Sequence, residues 1–250
     1  MSRLDNLLRD LVIANRILSN ENVVDAYGHI SVRHPQNSQH FFMSRSLAPE
    51  LVERNDLIEF DQKGEPVNDT RQPYLERFIH AAIFEARPDV MAVVHAHAED
   101  TLPFGLVATP LEPVIHSGSF IGGKVPVWDI RNKFGDTNLL VTNMMQGRDL
   151  AKCLSNGNVA LMRGHGFVSA ARSIIEVVRL SVYLPRNARV QMNSMRMGGK
   201  VKVLSKGEIA ARAGGYQPNS PETWRAWEYW ATRAGCGNKI GKLPRTRGEK

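Results

Sequence analysis

Cysteine is scarce: Cys153 and Cys236 are the only two in 250 residues. A pair so far apart builds no disulfide framework and reads as reduced thiols of a cytoplasmic protein. Long apolar runs are also missing, since the roughly twenty consecutive apolar residues of a membrane span occur nowhere. The opening stretch "MSRLDNLLRDLVIANRILS" has neither the apolar centre nor the small-residue cleavage site of a secretion signal. No G-x-G-x-x-G and no G-x-x-x-x-G-K-[ST] is present, which disfavours nucleotide cofactors. No Ser-His-Asp or Cys-His arrangement is supported, and Cys153, on an expected helix without a neighbouring base, reads as core. Patches that interleave basic and aromatic residues are absent too, so no nucleic-acid partner is expected. The formal charge of +7 does not alter this, because the final thirteen residues, "NKIGKLPRTRGEK", hold five basic residues against one Glu. The remaining body is close to balanced, with a mild positive bias that suits anionic small molecules.

What is there is an ordinary globular composition, 42% hydrophobic and 23% charged. One domain is expected over 1–237, followed by a basic, disordered tail at 238–250. Leu4, Leu7, Leu8, Leu11 and Val12 recur at helical spacing and predict a first amphipathic helix. "HISVRHP" and "QHFFMS" read as strands, and "DLIEFDQKGEPV" as a hairpin with Lys63-Gly64 at its tip. "PYLERFIHAAIFEARPD" reads as a helix between Pro73 and Pro88, and "VMAVVHAH" as a buried strand. "EDTLPFGLVA" is expected to be helical, "LEPVIH" and "KVPVWDI" short strands, and "GRDLAKCLSN" a helix. "NVALMRGHGFVSA" predicts two strands about a Gly-His-Gly turn. "SIIEVVRLSVYLPRNARVQMNSM" predicts a long helix, interrupted or kinked at Pro185. "SPETWRAWEYWAT" predicts an aromatic-rich helix capped by Ser220. Hairpins mixed with flanking helices indicate an α/β class with one central mixed sheet.

The chemistry is concentrated in histidine. His95 and His97 are two positions apart on the expected strand, hence on the same side and about 6–7 Å apart along it. Two ligands are too few for a cation. "RGHGF" adds His165, flanked by glycines that permit close backbone approach. Glu76, on the preceding helix, adds a carboxylate that could aim at the same point. Three histidines with an open fourth position and a carboxylate nearby have the donor pattern of a catalytic divalent-metal site.

"PYLERFIHAAIFEARPDVMAVVHAHAED", with "GNVALMRGHGFVSAA" about seventy residues on, resembles the class II aldolase/adducin family, over roughly residues 5–195. The resemblance implies a three-layer α/β/α sandwich around a central mixed, mostly antiparallel sheet. It implies His95, His97 and His165 as ligands of a divalent cation, zinc or alternatively manganese, cobalt or iron. It further implies Glu76 as ligand or as acid/base, and a homotetramer with active sites between subunits. The family also has adducin-like members that have lost the metal site; this sequence keeps all four residues.

Where the sugar-phosphate aldolases of the family carry small phosphate-binding residues, this sequence has "GHIS", "MSRSLAPE" and "PYLE". His29, Ser44, Arg45, Ser46 and Tyr74 therefore become candidate substrate-binding residues. A guanidinium matches a planar carboxylate, although Arg45 in a structural ion pair is the alternative. "SRSxAPE" and "PVWDIRNKFGDTNLLV" resemble the decarboxylase branch, which acts on hydroxylated aromatic or pyridine dicarboxylates. The expectation is a metal-dependent carbon–carbon lyase acting on a small carboxylated aromatic acid of the dihydroxyphthalate type, in aromatic catabolism. In it the metal chelates a ring hydroxyl and the adjacent carboxylate, Arg45 clamps a second carboxylate, and Glu76 or water protonates the ring carbon. A sugar-phosphate or hydroxy-acid aldolase and a non-catalytic binding module are the alternatives. His80 reads as packing or as support behind the site, and His116 as pocket lining or structure. For Trp224, Trp227, Tyr229 and Trp230 two readings stand: packing, or covering a neighbouring subunit's site.

Overall fold

The computed structural model describes residues 2–214 and 220–241. β1 (His29–Arg33), β2 (Phe41–Ser44), β3 (Leu57–Phe60), β4 (Ala92–Ala96), β5 (Val127–Trp128), β6 (Val159–Met162) and β7 (Gly166–Ala171) form one sheet in the order β3-β2-β1-β4-β7-β6-β5. Every pairing is antiparallel except β5 with β6. α1 (Arg3–Asn20), α2 (Arg77–Ala86), α3 (Arg131–Phe134), α4 (Met144–Leu154), α5 (Ile174–Arg196), α6 (Lys206–Gly214) and α7 (Pro221–Arg233) surround it.

Strand alternation sorts the sheet into two cores. Ile30, Val32, Val94, Ala96 and Phe167 pack with Leu11, Ile17, Val178 and Trp227, from α1, α5 and α7. Phe41, Met43, Val93, Val168 and Ala170 pack with Ile79, Ile83 and Leu150, from α2 and α4. Each fully buried aliphatic or Phe side chain contributes about 1.5–3 kcal/mol. The architecture is the expected three-layer α/β/α sandwich. Trp227 and Trp230 lie inside the first core, so packing accounts for them, while Tyr229 faces solvent.

The second face of β1 is polar. His29, Ser31 and Arg33 alternate toward α2, where Arg33 donates to Phe84 O and Arg87 O, both at 2.8 Å. A buried cation thus meets the orphan carbonyls at the end of α2 and fixes that helix against the strand. At the crossing of α2 and α4, Gly147 lies so close to α2 that a Cβ there would stand 2.4 Å from Phe78 O.

One expectation is narrowed and three are corrected. The segment 99–105 is a 3-10 helix, since Pro103 inside it supplies no amide for an α-helical bond. "LEPVIH" joins no strand; side chains of α5 take its backbone groups instead, with Val114 N donating to Asn187 Oδ1 at 2.8 Å and Asn187 Nδ2 to Glu112 O at 2.8 Å. The hairpin after β3 shrinks to a single bridge between Phe60 and Pro66, where proline again lacks a donor. α5 runs unbroken through Pro185, held by the burial of Val182, Leu184 and Ala188 on either side of it.

Ser220 caps α7 as expected, accepting from Thr223 N. Ile240 packs against the first core, past the expected domain end at 237. The rest of the predicted tail, 242–250, lies outside the described residues. No helix among the described residues is long and apolar enough to cross a membrane.

Candidate active site

Three strand ends and one helix start meet at a single point. His95 is in β4, and His97 lies just beyond that strand's last residue, Ala96. Their Nε2 atoms are 3.0 Å apart. His165 closes the turn between β6 and β7. Gly166 after it is an absolute requirement, because a Cβ there would stand 2.2 Å from Ala96 O. Gly164 before it has φ +65°, a conformation that glycine adopts freely. The RGHG turn can therefore draw His165 against the end of β4.

Glu76 is the N-cap residue of α2 and sits outside the helix proper, which opens at Arg77 rather than near Pro73. Its side chain makes no cap bond and turns inward instead. Oε1 accepts from Val141 N at 2.9 Å, and Oε2 lies 3.4 Å from both His95 Nε2 and His165 Nε2. Ligand atoms of Glu76, His95, His97 and His165 all lie within 4.8 Å of one another.

This donor set fits a divalent cation. Ligands about 2.1 Å from a tetrahedral centre are separated by roughly 3.4 Å, close to the 3.0–3.4 Å spacings found. The far sides of two rings are fixed as well: His95 Nδ1 donates to Phe167 O and His165 Nδ1 to Leu139 O, both at 3.0 Å. With Nδ1 protonated, each Nε2 carries its lone pair toward the shared point, the usual support behind metal-bound histidines.

Electrostatics follow the same geometry. Burial alone would raise the Glu76 carboxyl, yet the imidazoles of His95 and His165 outweigh it and hold the group well below the usual carboxylate range. Burial lowers His165, but Glu76 overcomes that and the ring ends above its ordinary value. His97 is pulled down to about 4, by burial first and then by its neighbours His95 and His165. His80 falls to about 3, again chiefly through burial.

A cavity of about 250 Å³ opens at the cluster, bordered by Tyr27, His29, Ser46, Tyr74, Leu75 and Leu140 besides Glu76, His97 and His165. Of the candidate substrate residues, His29, Ser46 and Tyr74 line it. Ser44 does not: it ends β2 pointing inward and donates to Tyr74 Oη at 3.2 Å. Tyr74 in turn donates to Leu47 O, so Ser44 holds the ring that lines the wall. Arg45 is a correction of the same kind. Its Nε donates to Asp56 Oδ1 at 2.7 Å, the structural ion pair that was the alternative reading, and the residue is not part of the cavity wall. Residues 139–141 entered the sequence reading only as the end of "PVWDIRNKFGDTNLLV", with no role, because two of them act through backbone atoms, which leave no side-chain signature. His116 lines a different pocket, near α7.

The profile of the Class II Aldolase and Adducin N-terminal domain matches residues 9–192. The chain belongs to the class II aldolase and adducin family. Within this family it is 35% identical to "Decarboxylase tropJ" of Talaromyces stipitatus, across 94% of this chain and 97% of that one. It is 26% identical to "3,4-dihydroxyphthalate decarboxylase" of Arthrobacter keyseri, across 86% and 90%. Among solved structures, an aldolase II superfamily protein from Pseudomonas syringae aligns with a TM-score of 0.78 at 20% identity, covering 96% of each chain. An L-fuculose 1-phosphate aldolase aligns with a TM-score of 0.71 at 19% identity, covering 86% of this chain and 97% of that one. These two likenesses establish the class II aldolase fold. The sequence relatives put the chain with the decarboxylase branch of the family.

Proposed function

We propose that this family member is a divalent-metal-dependent carboxy-lyase acting on a hydroxylated aromatic dicarboxylate of the dihydroxyphthalate type. The observation that carries the reading is the convergence of Glu76, His95, His97 and His165, with two of the imidazoles fixed from behind by backbone carbonyls. Similarity to two relatives named as decarboxylases supports the reaction type.

His95, His97 and His165 would hold the cation, leaving the Glu76 carboxylate beside it as the acid/base. A divalent ion bound there supplies Lewis acidity, favouring negative charge on substrate oxygens as the carbon–carbon bond breaks. Everything else falls to the chain's own groups. Tyr74, Leu75 and Leu140 present flat and apolar walls to a ring. A cavity of roughly 150 Å³ accommodates benzene, so one of about 250 Å³ leaves room for ring substituents. Glu76 is ionised, with one oxygen pinned by Val141 N–H and the other facing the cluster. It takes the proton of the substrate hydroxyl. Glu76 then delivers that proton to the ring carbon bearing the carboxylate, and as CO₂ leaves the electron pair of the broken carbon–carbon bond restores the aromatic ring and the negative charge on the hydroxyl oxygen.

The reading includes a homo-oligomer, supported by Tyr27 and Leu75, apolar and exposed at the cavity mouth. It includes a cytoplasmic location, consistent with the free thiols of Cys153 and Cys236.

The test is an assay of purified protein, stripped of metal and then reloaded with zinc, manganese, cobalt or iron. Substrates are 3,4-dihydroxyphthalate and, in parallel, fuculose and ribulose phosphates. CO₂ release from the aromatic acid in at least one metal-loaded form, absent from the stripped protein, is expected. Turnover of the sugar phosphates alone would refute the assignment.

A further inference from the structure

Behind the metal cluster lies a buried chain of side chains that the proposed reaction does not use. Ser31 Oγ is 2.6 Å from His80 Nδ1, and His80 Nε2 is 2.7 Å from His29 Nδ1. Ser31 and His80 have no exposed surface, and His29 is 4% exposed. Sheet and helix geometry produce the chain directly. His29 and Ser31 alternate onto the same face of β1, and His80 reaches down between them from the first turn of α2.

The direction of the protons along this chain can be worked out. Among the described residues, His80 Nδ1 is the one recorded partner of the Ser31 hydroxyl. A buried O–H that donates to nothing costs about 1–3 kcal/mol, so Ser31 donates to Nδ1 and His80 keeps its own proton on Nε2. That proton then faces His29 Nδ1, which must accept. A ring nitrogen that accepts a hydrogen bond carries no proton, so His80, accepting at Nδ1, and His29, accepting at Nδ1, each have their single N–H on Nε2. The proton of His29 is therefore on Nε2. Since Nδ1 is occupied by His80, Nε2 is the nitrogen that His29 has free for the cavity it lines.

This tautomer is functionally opposite to that of the ligand histidines next to it. His95 and His165 donate from Nδ1 to carbonyl oxygens and so present Nε2 lone pairs, which suit a cation. His29, whose ring centroid is 5.2 Å from that of His95, presents an N–H, which suits an anion.

We infer that Ser31 and His80 are positioning residues that lock His29 as a neutral hydrogen-bond donor, excluding it from the metal's ligands and directing it to a carboxylate oxygen of the substrate. The inference rests on the proposed reading for the identity of that anion; the tautomer itself does not. It also reassigns anion recognition from Arg45, tied to Asp56, to a residue in the cavity wall.

Two measurements test it. In ¹⁵N-histidine-labelled, zinc-loaded protein, NMR correlation of ring nitrogens with ring carbon-bound protons reports which nitrogen is protonated. His29 and His80 should both carry their proton on Nε2; a His29 proton on Nδ1, or His29 coordinated to zinc, overturns the inference. The second is phthalate binding by calorimetry, which needs no turnover. His80→Gln keeps an N–H for His29 and should bind phthalate nearly as the unaltered protein does. His80→Met supplies none and should weaken binding at least about tenfold, the loss expected when a hydrogen bond to a charged group goes, with zinc stoichiometry unchanged. Equal binding by His80→Met, or no phthalate binding by the unaltered protein, counts against the donor role. Correct tautomers and phthalate binding without CO₂ release from dihydroxyphthalate would leave this inference standing while the proposed reaction fell.

Discussion

Gly147 sits four residues into α4, where propensity and packing predict opposite outcomes for Gly147→Ala. Alanine is favoured over glycine in a helix by up to about 1 kcal/mol, so a helix considered alone would gain. The new Cβ, however, would stand 2.4 Å from Phe78 O and 2.9 Å from Ala82 Cβ. The first distance is about 1 Å short of an ordinary carbon contact of roughly 3.5 Å. A backbone carbonyl cannot swing aside as a side-chain tip can, so α2 or α4 must move bodily. Overpacking of this kind costs about 1–3 kcal/mol, and the net effect is destabilisation by up to about 2 kcal/mol. For a chain of this size that lowers Tm by several degrees, at roughly 2–4 °C per kcal/mol. Thermal unfolding followed by circular dichroism reads it. Adding Ala82→Gly removes the 2.9 Å contact and leaves the 2.4 Å one, so the double variant should stay below the parent. A Gly147→Ala protein as stable as the parent, or more so, would show that the helices do not approach this closely. Because Glu76 is the N-cap of α2 and His80 lies in its first turn, a displaced helix should also loosen metal binding.

His165→Ala should abolish stoichiometric zinc binding, read by metal analysis after dialysis, while Cys153→Ser leaves it intact; retention by the histidine variant would remove His165 from the site. Asn187→Leu should destabilise the fold by about 1–3 kcal/mol, since it strands the part-buried backbone groups of Glu112 and Val114; an unchanged denaturation midpoint would contradict this. Asp69 accepts from the backbone and guanidinium of Arg71, which hold its pKa to about 2 against an ordinary 3.8. A depressed carboxyl pKa means the folded state binds fewer protons, so this pair's contribution is complete above about pH 4 and fades as pH falls through 2. Carbon-detected NMR titration should give an Asp69 midpoint near 2, and a midpoint at 3.8 would show the pair open in solution.

The strands carrying the histidines were legible because β-branched runs and turn residues mark them locally: β1, β2, β4, β6 and β7 lie where the residue pattern puts them. In the region from 99 to 116 the expected helix is a 3-10 helix and the expected strand, "LEPVIH", pairs with no other strand. Its segments owe their shape to Pro103 and to Asn187, a residue more than sixty positions away whose side chain replaces a sheet partner. Arg45 and Ser44 illustrate a second limit. Their chemistry suggested direct contact with substrate, but which way a side chain turns depends on Asp56 and Tyr74, brought to them by folding.

By itself the sequence determined which residue types were present to make a site: three histidines and a glutamate of ligand character, glycines on either side of one of them, and apolar strands to carry them. Only the tertiary structure decided what each imidazole offers. That choice depends on what its second nitrogen touches, a carbonyl for His95 and His165 and another ring for His29. Those contacts join elements from 26 to 72 residues apart, and no local pattern records a contact that exists only once the sheet has closed.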